Sequence, residues 1–320
     1  MYILTAEYAE NHSFTAPIGR PISTEFASLA RSTLLRGWLR ECDEEHADCK
    51  RAQSELVTAL PTRLLYVGDL DDQNYKQDRV RLIRASKATT RHYVALSHCW
   101  GQLPKEKQKM FCTTQDNFDR RLQGFDVSEL PKTFQDAVTI TRELGVLYLW
   151  IDSLCIIQDG DNGKDWNRES RLMESVFSNA YCTIAATAAA DSNAGFLERN
   201  MRTSHIYVRD ASGNEFYVSN DIDDFDEDVG KAKLNTRAWV MQEAVLAKRT
   251  IHFSANQVYW ECGEGVYCEN FVRLQRYYLC VTSTEEILTI RVILAPSQTN
   301  TSRWIPTSLS GFSNQARDVH

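Results

Sequence analysis

Glycine and proline are scarce in this sequence, at 14 and 7 of 320 residues. That is about 4% and 2%, against ordinary usage near 7% and 5%. The scarcity excludes collagen-like and Pro/Gly-rich low-complexity chains. Long apolar runs are also missing. The longest candidate, 145–157, carries Asp152 and falls short of the roughly 18 residues a membrane helix needs. The opening MYILTAEYAENHS turns polar by residue 6, so no secretory leader is expected there. Basic excess is absent: 36 Lys+Arg stand against 43 Asp+Glu, for a net charge of -7. A nucleic-acid binder shows a basic stripe or patch instead. No G-x-S-x-G elbow, Walker loop or G-x-G-x-x-G occurs. The expectation is a cytoplasmic chain without nucleic-acid or membrane partners.

Enough apolar material is present to fold, at 43% of residues. At roughly 150 residues per domain, the length means one large domain or two modest ones. Nine cysteines stand at 42, 49, 99, 112, 155, 182, 262, 268 and 280. Their number is odd and their spread wide, which points to thiols that are free or bound to metal. Three zones are legible: a helical and hairpin lead-in over 1–91, a strongly patterned region over 92–262, and a weakly folded tail over 263–320. Ser and Thr make up 12 of the last 40 residues.

In the lead-in, apolar spacing predicts a helix from Glu25 to about Arg51. Two short strands, 64–67 and 80–83, form a hairpin. The middle zone alternates strand (92–97), helix (131–144, stopped by Gly145), strand (146–157), helix (165–180) and strand (181–187). Runs apolar on both faces mark parallel strands covered by helices. The order predicts an α/β fold with a parallel sheet. A second β-rich part follows, with a helix at 238–246 and strands at 250–253 and 257–261.

Glu169 draws attention because it falls inside the apolar stripe of the 165–180 helix, among Trp166, Met173 and Ala180. A carboxylate there either has a buried partner or faces a cleft, since an unpaired buried charge costs several kcal/mol. The helix should open at the sheet's carboxyl edge, where open α/β sheets bind ligands. Asp165 is its expected N-cap. The strand ending at Ser97 delivers Ser97, His98, Cys99 and Trp100 to the same edge. Asp152 lies in the long strand, as a site residue or a structural acceptor. Cys42, His46 and Cys49 share one face of the lead-in helix. Small residues packing beneath a helix account for them, and we assign no metal. The other reading is the start of a zinc site, with Cys262 or Cys268 supplied from afar. Trp239, Glu243 and Leu246 share a helical face, read as core with Glu243 paired to Arg237 or Arg249.

Five ordered blocks then resemble the fungal heterokaryon incompatibility (HET) domain. They are Tyr93-Val-Ala-Leu-Ser-His-Cys-Trp-Gly101, Leu149-Trp-Ile-Asp-Ser-Leu-Cys-Ile-Ile-Gln-Asp159, Asp165-Trp-x-x-Glu-x-x-x-Met173, Ala180-Tyr-Cys-Thr-Ile-Ala-Ala186 and Thr236-Arg-Ala-Trp-Val-Met-Gln-Glu243. The resemblance implies non-self recognition and programmed cell death, through self-association or an incompatibility partner protein. It also implies a TIR-like (flavodoxin-like) parallel sheet flanked by helices, with additional β-rich elements. Some TIR domains cleave NAD with a glutamate at a helix start. Trp166-Asn-Arg-Glu169 resembles that motif, so Glu169 becomes the catalytic candidate. Ser97, Trp100, Gly101, Asp152 and Trp166 become binding candidates, with NAD as substrate and no cofactor. The alternative is a non-catalytic interaction module that signals by assembly. Beyond Glu269 no partner-sensing domain is legible, so a stand-alone or truncated HET protein is implied.

Overall fold

The computed structural model describes residues 2–3, 28–47, 49, 60–68, 78–102, 104–199, 205–209, 215–219, 224–236, 238–270, 273–274, 277–283 and 286–292. Strand β1 (Tyr2–Ile3) precedes helix α1 (Ser28–Glu44) and the hairpin of β2 (Arg63–Tyr66) and β3 (Arg79–Arg84). Next come β4 (Val94–Ser97), α2 (Lys105–Phe111), α3 (Phe118–Gln123), β5 (Phe125–Asp126) and α4 (Lys132–Glu143). The chain continues through β6 (Tyr148–Trp150), α5 (Asp152–Cys155), α6 (Lys164–Glu169), α7 (Met173–Asn179) and β7 (Cys182–Ala185). After β8 (His205–Arg209) and β9 (Glu215–Ser219) come α8 (Ala238–Leu246) and β10 (Thr250–Phe253). Strands β11 (Val258–Cys262), β12 (Gly265–Cys268) and β13 (Arg273–Leu274) follow, then a hairpin of β14 (Tyr277–Ser283) and β15 (Glu286–Val292).

Among the described residues, the main sheet has ten strands in the order β13-β12-β11-β10-β7-β4-β6-β2-β3-β5. Its centre is parallel: β6 with β4, β4 with β7, and β7 with β10. Numbered along the chain, these four strands run 2-1-3-4 across the sheet. The sheet crosses both boundaries of the three-zone reading. It takes β2 and β3 from the lead-in and β12 and β13 from beyond 262. Residues 293–320 of the expected weak tail lie outside the described residues.

Strand alternation sorts the core onto two faces. Val94 and Leu96 of β4 pack with Leu35 and Trp38 of α1 and Phe134, Ala137 and Val138 of α4. Ala95 points the other way, into a cluster with Trp150, Val176 and Phe177. Helices therefore cover both faces, the arrangement expected of an α/β layer. A buried bidentate pair ties α1 to α4: Arg31 Nε and Nη2 donate to Glu143 at 2.8 and 2.6 Å. Gly145, at φ +74, ends α4 as the sequence predicts.

Three elements differ from their sequence reading. The lead-in helix ends at Glu44, so His46 and Cys49 lie past it. The single strand predicted over 146–157 is a three-residue strand followed by a helical turn, with Asp152 in the turn. A continuous apolar run does not distinguish strand from buried helix. The Asp152 carboxylate opens that turn by accepting the Ser153 N–H at 2.6 Å. The 165–180 helix is broken by a 3-10 turn, Ser170–Leu172. Its cap is not Asp165: Asp161 accepts the N–H of Gly163 at 2.9 Å and of Asp165 at 2.7 Å. That capping leaves the Asp165 side chain free to turn inward.

Candidate functional site

Strand β2 pairs antiparallel with β6 through Leu65–Leu149 and Tyr66–Tyr148, which puts Arg63 level with the carboxyl end of β6. There Arg63 is buried and donates to the Cys155 carbonyl at 2.6 Å. It forms an ion pair with Asp165 and lies 3.8 Å from Glu169. Asp165 also accepts the Ile157 N–H at 2.8 Å and pairs with Arg168. Glu169 accepts from Arg168 Nε at 2.9 Å and is 4% exposed. Of the two sequence alternatives for this carboxylate, the structure has the buried partner. Trp166 was expected in the core stripe, yet it is 41% exposed. The inward side of α6 carries Asp165 and Glu169 instead, because Arg63 draws both carboxylates.

A second group forms where the strand order turns. The chain leaves β4 toward β6 on one side and β7 on the other. In open α/β sheets, ligands bind in the crevice at the carboxyl ends of the strands around such a point. Ser97 ends β4, is buried, and its hydroxyl donates to Glu243 Oε2 of α8 at 2.6 Å. Glu243 is half-buried. Cys99, Ala185, Leu234 and Val240 pack beside this pair as a small apolar cluster. Trp100 follows β4, its indole N–H donating to Asp152 Oδ2 at 2.8 Å.

Gly101 sits at φ +78, and a Cβ there would run into the Asp191 side chain. Gly101→Ala should therefore cost about 1–3 kcal/mol, the scale of a non-glycine residue held in a left-handed conformation. Urea unfolding should show a lowered midpoint at unchanged slope.

The structure thus joins Trp100 to Asp152, seats Gly101 against Asp191, and pairs Ser97 with Glu243 rather than with Glu169. Sequence reasoning gave Glu243 a core role with Arg237 or Arg249. The Arg237 side chain lies outside the described residues, and Arg249 pairs with Asp43 at 2.6 Å. The signal that could have found Glu243 was the β4-to-β7 switch in strand order, which no local pattern encodes. A separate cleft of ≈ 690 Å³ opens at β2 and β3, lined by Thr62, Arg63, Arg84, Ser86 and Arg91 among others. It touches the Asp165–Glu169 network only through Arg63.

Among the described residues, no helix is long and apolar enough to cross a membrane. No curated protein and no solved structure matches the chain. The family model described as Heterokaryon incompatibility protein (HET) matches residues 93–243, from the residue before β4 to Glu243. Residues 93–243 carry a heterokaryon incompatibility (HET) domain, which supports a role in heterokaryon incompatibility.

Proposed function

We propose that this HET domain acts in fungal non-self recognition and programmed cell death, on a TIR-like (flavodoxin-like) core. We further propose that its switch-point crevice cleaves NAD at the nicotinamide–ribose bond, with Glu243 as the acting carboxylate. The strand order 2-1-3-4 supports the core reading, being the order of the first four strands in flavodoxin-like sheets. The observation that carries the site reading is the Ser97–Glu243 hydrogen bond at the turning point of that order.

The chemistry needs little. The C–N bond breaks and its electron pair leaves with neutral nicotinamide. Water then attacks the anomeric carbon and releases a proton. The transition state is oxocarbenium-like, so a fixed carboxylate facing the ribose stabilises the charge that develops. The Ser97 hydroxyl would hold Glu243 in one orientation. Trp100, Asp152 and Gly101 would shape the wall against which NAD lies. The same role for Glu169, with Trp166 beside it, fits less well, because Glu169 is buried against Arg63 and Arg168.

Purified full chain should release nicotinamide from NAD. Glu243→Gln should lower that rate about 10²–10³-fold, the usual effect of removing one preorganised electrostatic group. An undiminished rate in Glu243→Gln would overturn the assignment. A second reading, a non-catalytic module that signals by self-association or through an incompatibility partner, is favoured by the exposed apolar side chains of Trp166, Leu172 and Val245 around α7. Under it neither chain releases nicotinamide, whatever its concentration.

A further inference from the structure

Four chemistry-bearing side chains meet outside the HET segment. Cys42 lies in the last turn of α1, His46 and Cys49 follow its end, and Cys262 closes β11. All four are more than nine-tenths buried, with His46 the most accessible at 8%. One ligand atom from each lies within 4.8 Å of the other three. The His46 Nδ1 is 3.4 Å from the Cys262 sulfur and 4.0 Å from that of Cys49. Zinc bonds near 2.3 Å to sulfur and 2.0–2.1 Å to nitrogen, at tetrahedral angles, put neighbouring ligand atoms about 3.5–3.8 Å apart. The two distances bracket that spacing, the four ligand atoms converge within 4.8 Å, and no disulfide ties up the thiols.

The surroundings are those of a metal site as well. His46 Nδ1 lies toward the sulfurs, while its Nε2 is 3.3 Å from the Tyr267 hydroxyl and 3.6 Å from the Glu41 carboxylate. Outer partners of this kind fix the tautomer and ring plane of ligating histidines. Backbone N–H groups of Gly263 and Glu264 bond the sulfurs of Cys49 and Cys262. Three thiolates, a neutral imidazole and a divalent ion leave one negative charge, and the buried Arg249 guanidinium acts on Cys42 from nearby. Outside the cluster, burial pushes the thiols of Cys112, Cys155 and Cys182 up to about 12. They are neutral, small and apolar.

We propose that Cys42, His46, Cys49 and Cys262 form a closed structural zinc site, which clamps the chain before the HET domain to the strands after it. Four protein ligands leave no open position, so the role is structural rather than hydrolytic. His46 and Cys262 are 216 residues apart, and the metal would fasten α1 to the β11–β12 hairpin. Of the two sequence readings, small residues packing beneath a helix or the start of a zinc site with Cys262 or Cys268 from afar, the proposal takes the second, with Cys262 as the remote ligand. The proposal does not rest on any activity at Glu243.

The test uses tag-free full chain purified without chelator. Elemental analysis should find one zinc per chain. After zinc removal, added cobalt(II) should give thiolate-to-cobalt charge-transfer bands and the d–d absorption of tetrahedral cobalt. Cys262→Ser should lose the metal, and Cys182→Ser should keep it. Where Cys262→Ser fails to fold, the wild-type cobalt spectrum decides alone. The proposal is overturned by a folded wild-type chain that binds neither ion, by a Cys262→Ser chain that keeps one zinc, or by a disulfide among the three cysteines.

Discussion

Arg63→Ala should destabilise the protein by about 3–5 kcal/mol, the usual result of removing one partner from a buried ion pair. Arg63 lies in β2, yet it serves the carboxyl end of β6. It bonds the Cys155 carbonyl at 2.6 Å, pairs with Asp165, and stands 3.8 Å from Glu169. Without it, two carboxylates buried to about 95% share Arg168, whose side chain is 56% exposed. Water screens an exposed partner and weakens its hold. Arg63→Lys should recover little, because an ammonium is a point charge and does not reproduce the planar fork. The check is urea unfolding, with the midpoint shifted at constant slope. A loss under about 1 kcal/mol, the scale of a surface pair, would contradict the description of Arg63 as the anchor of α6.

Trp150→Ala should cost a similar amount, about 3–5 kcal/mol, by the lost transfer energy and the cavity left behind. Trp150 is 2% exposed, on the face of β6 that looks toward α7. Its ring meets Phe177 edge-on at 5.7 Å between centroids. Trp150→Phe, which keeps an aromatic ring against Phe177, should lose much less. Equal losses for the two variants would mean that the indole volume, and not the ring contact, governs this layer. A loss from Trp150→Ala under about 1 kcal/mol would deny that α7 and β6 form one core.

Much of the fold was legible because its causes are local. Gly145 ends α4, the apolar runs of β4 and β7 are covered on both faces, and the lead-in strands pair as a hairpin. The 146–157 run was misread because a buried strand and a buried helical turn look alike in apolar content. Asp152, which opens the turn, was the available signal. The 165–180 helix was misread because Asp161, before the apparent start, supplies the cap and lets Asp165 face Arg63. That partner is 102 residues away and leaves no trace in helical periodicity. Glu243 was underrated for the same reason. Its tie to Ser97 spans 146 residues and depends on the order of strands across the sheet. The Cys42–His46–Cys49 spacing was visible, while Cys262 reaches it only through the packing of β11 beside α1.

The central proposal is a division of labour between two glutamates: Glu243, tied to Ser97, would be the acting carboxylate, and Glu169 lies buried against Arg63 and Arg168. It is tested most directly by nicotinamide release from NAD, measured per folded chain on Glu243→Gln beside Glu169→Gln. The account predicts that Glu243→Gln melts like wild type and loses turnover. It predicts that Glu169→Gln melts lower and, where folded, keeps it. Turnover lost in a well-folded Glu169→Gln and kept in Glu243→Gln would contradict the account.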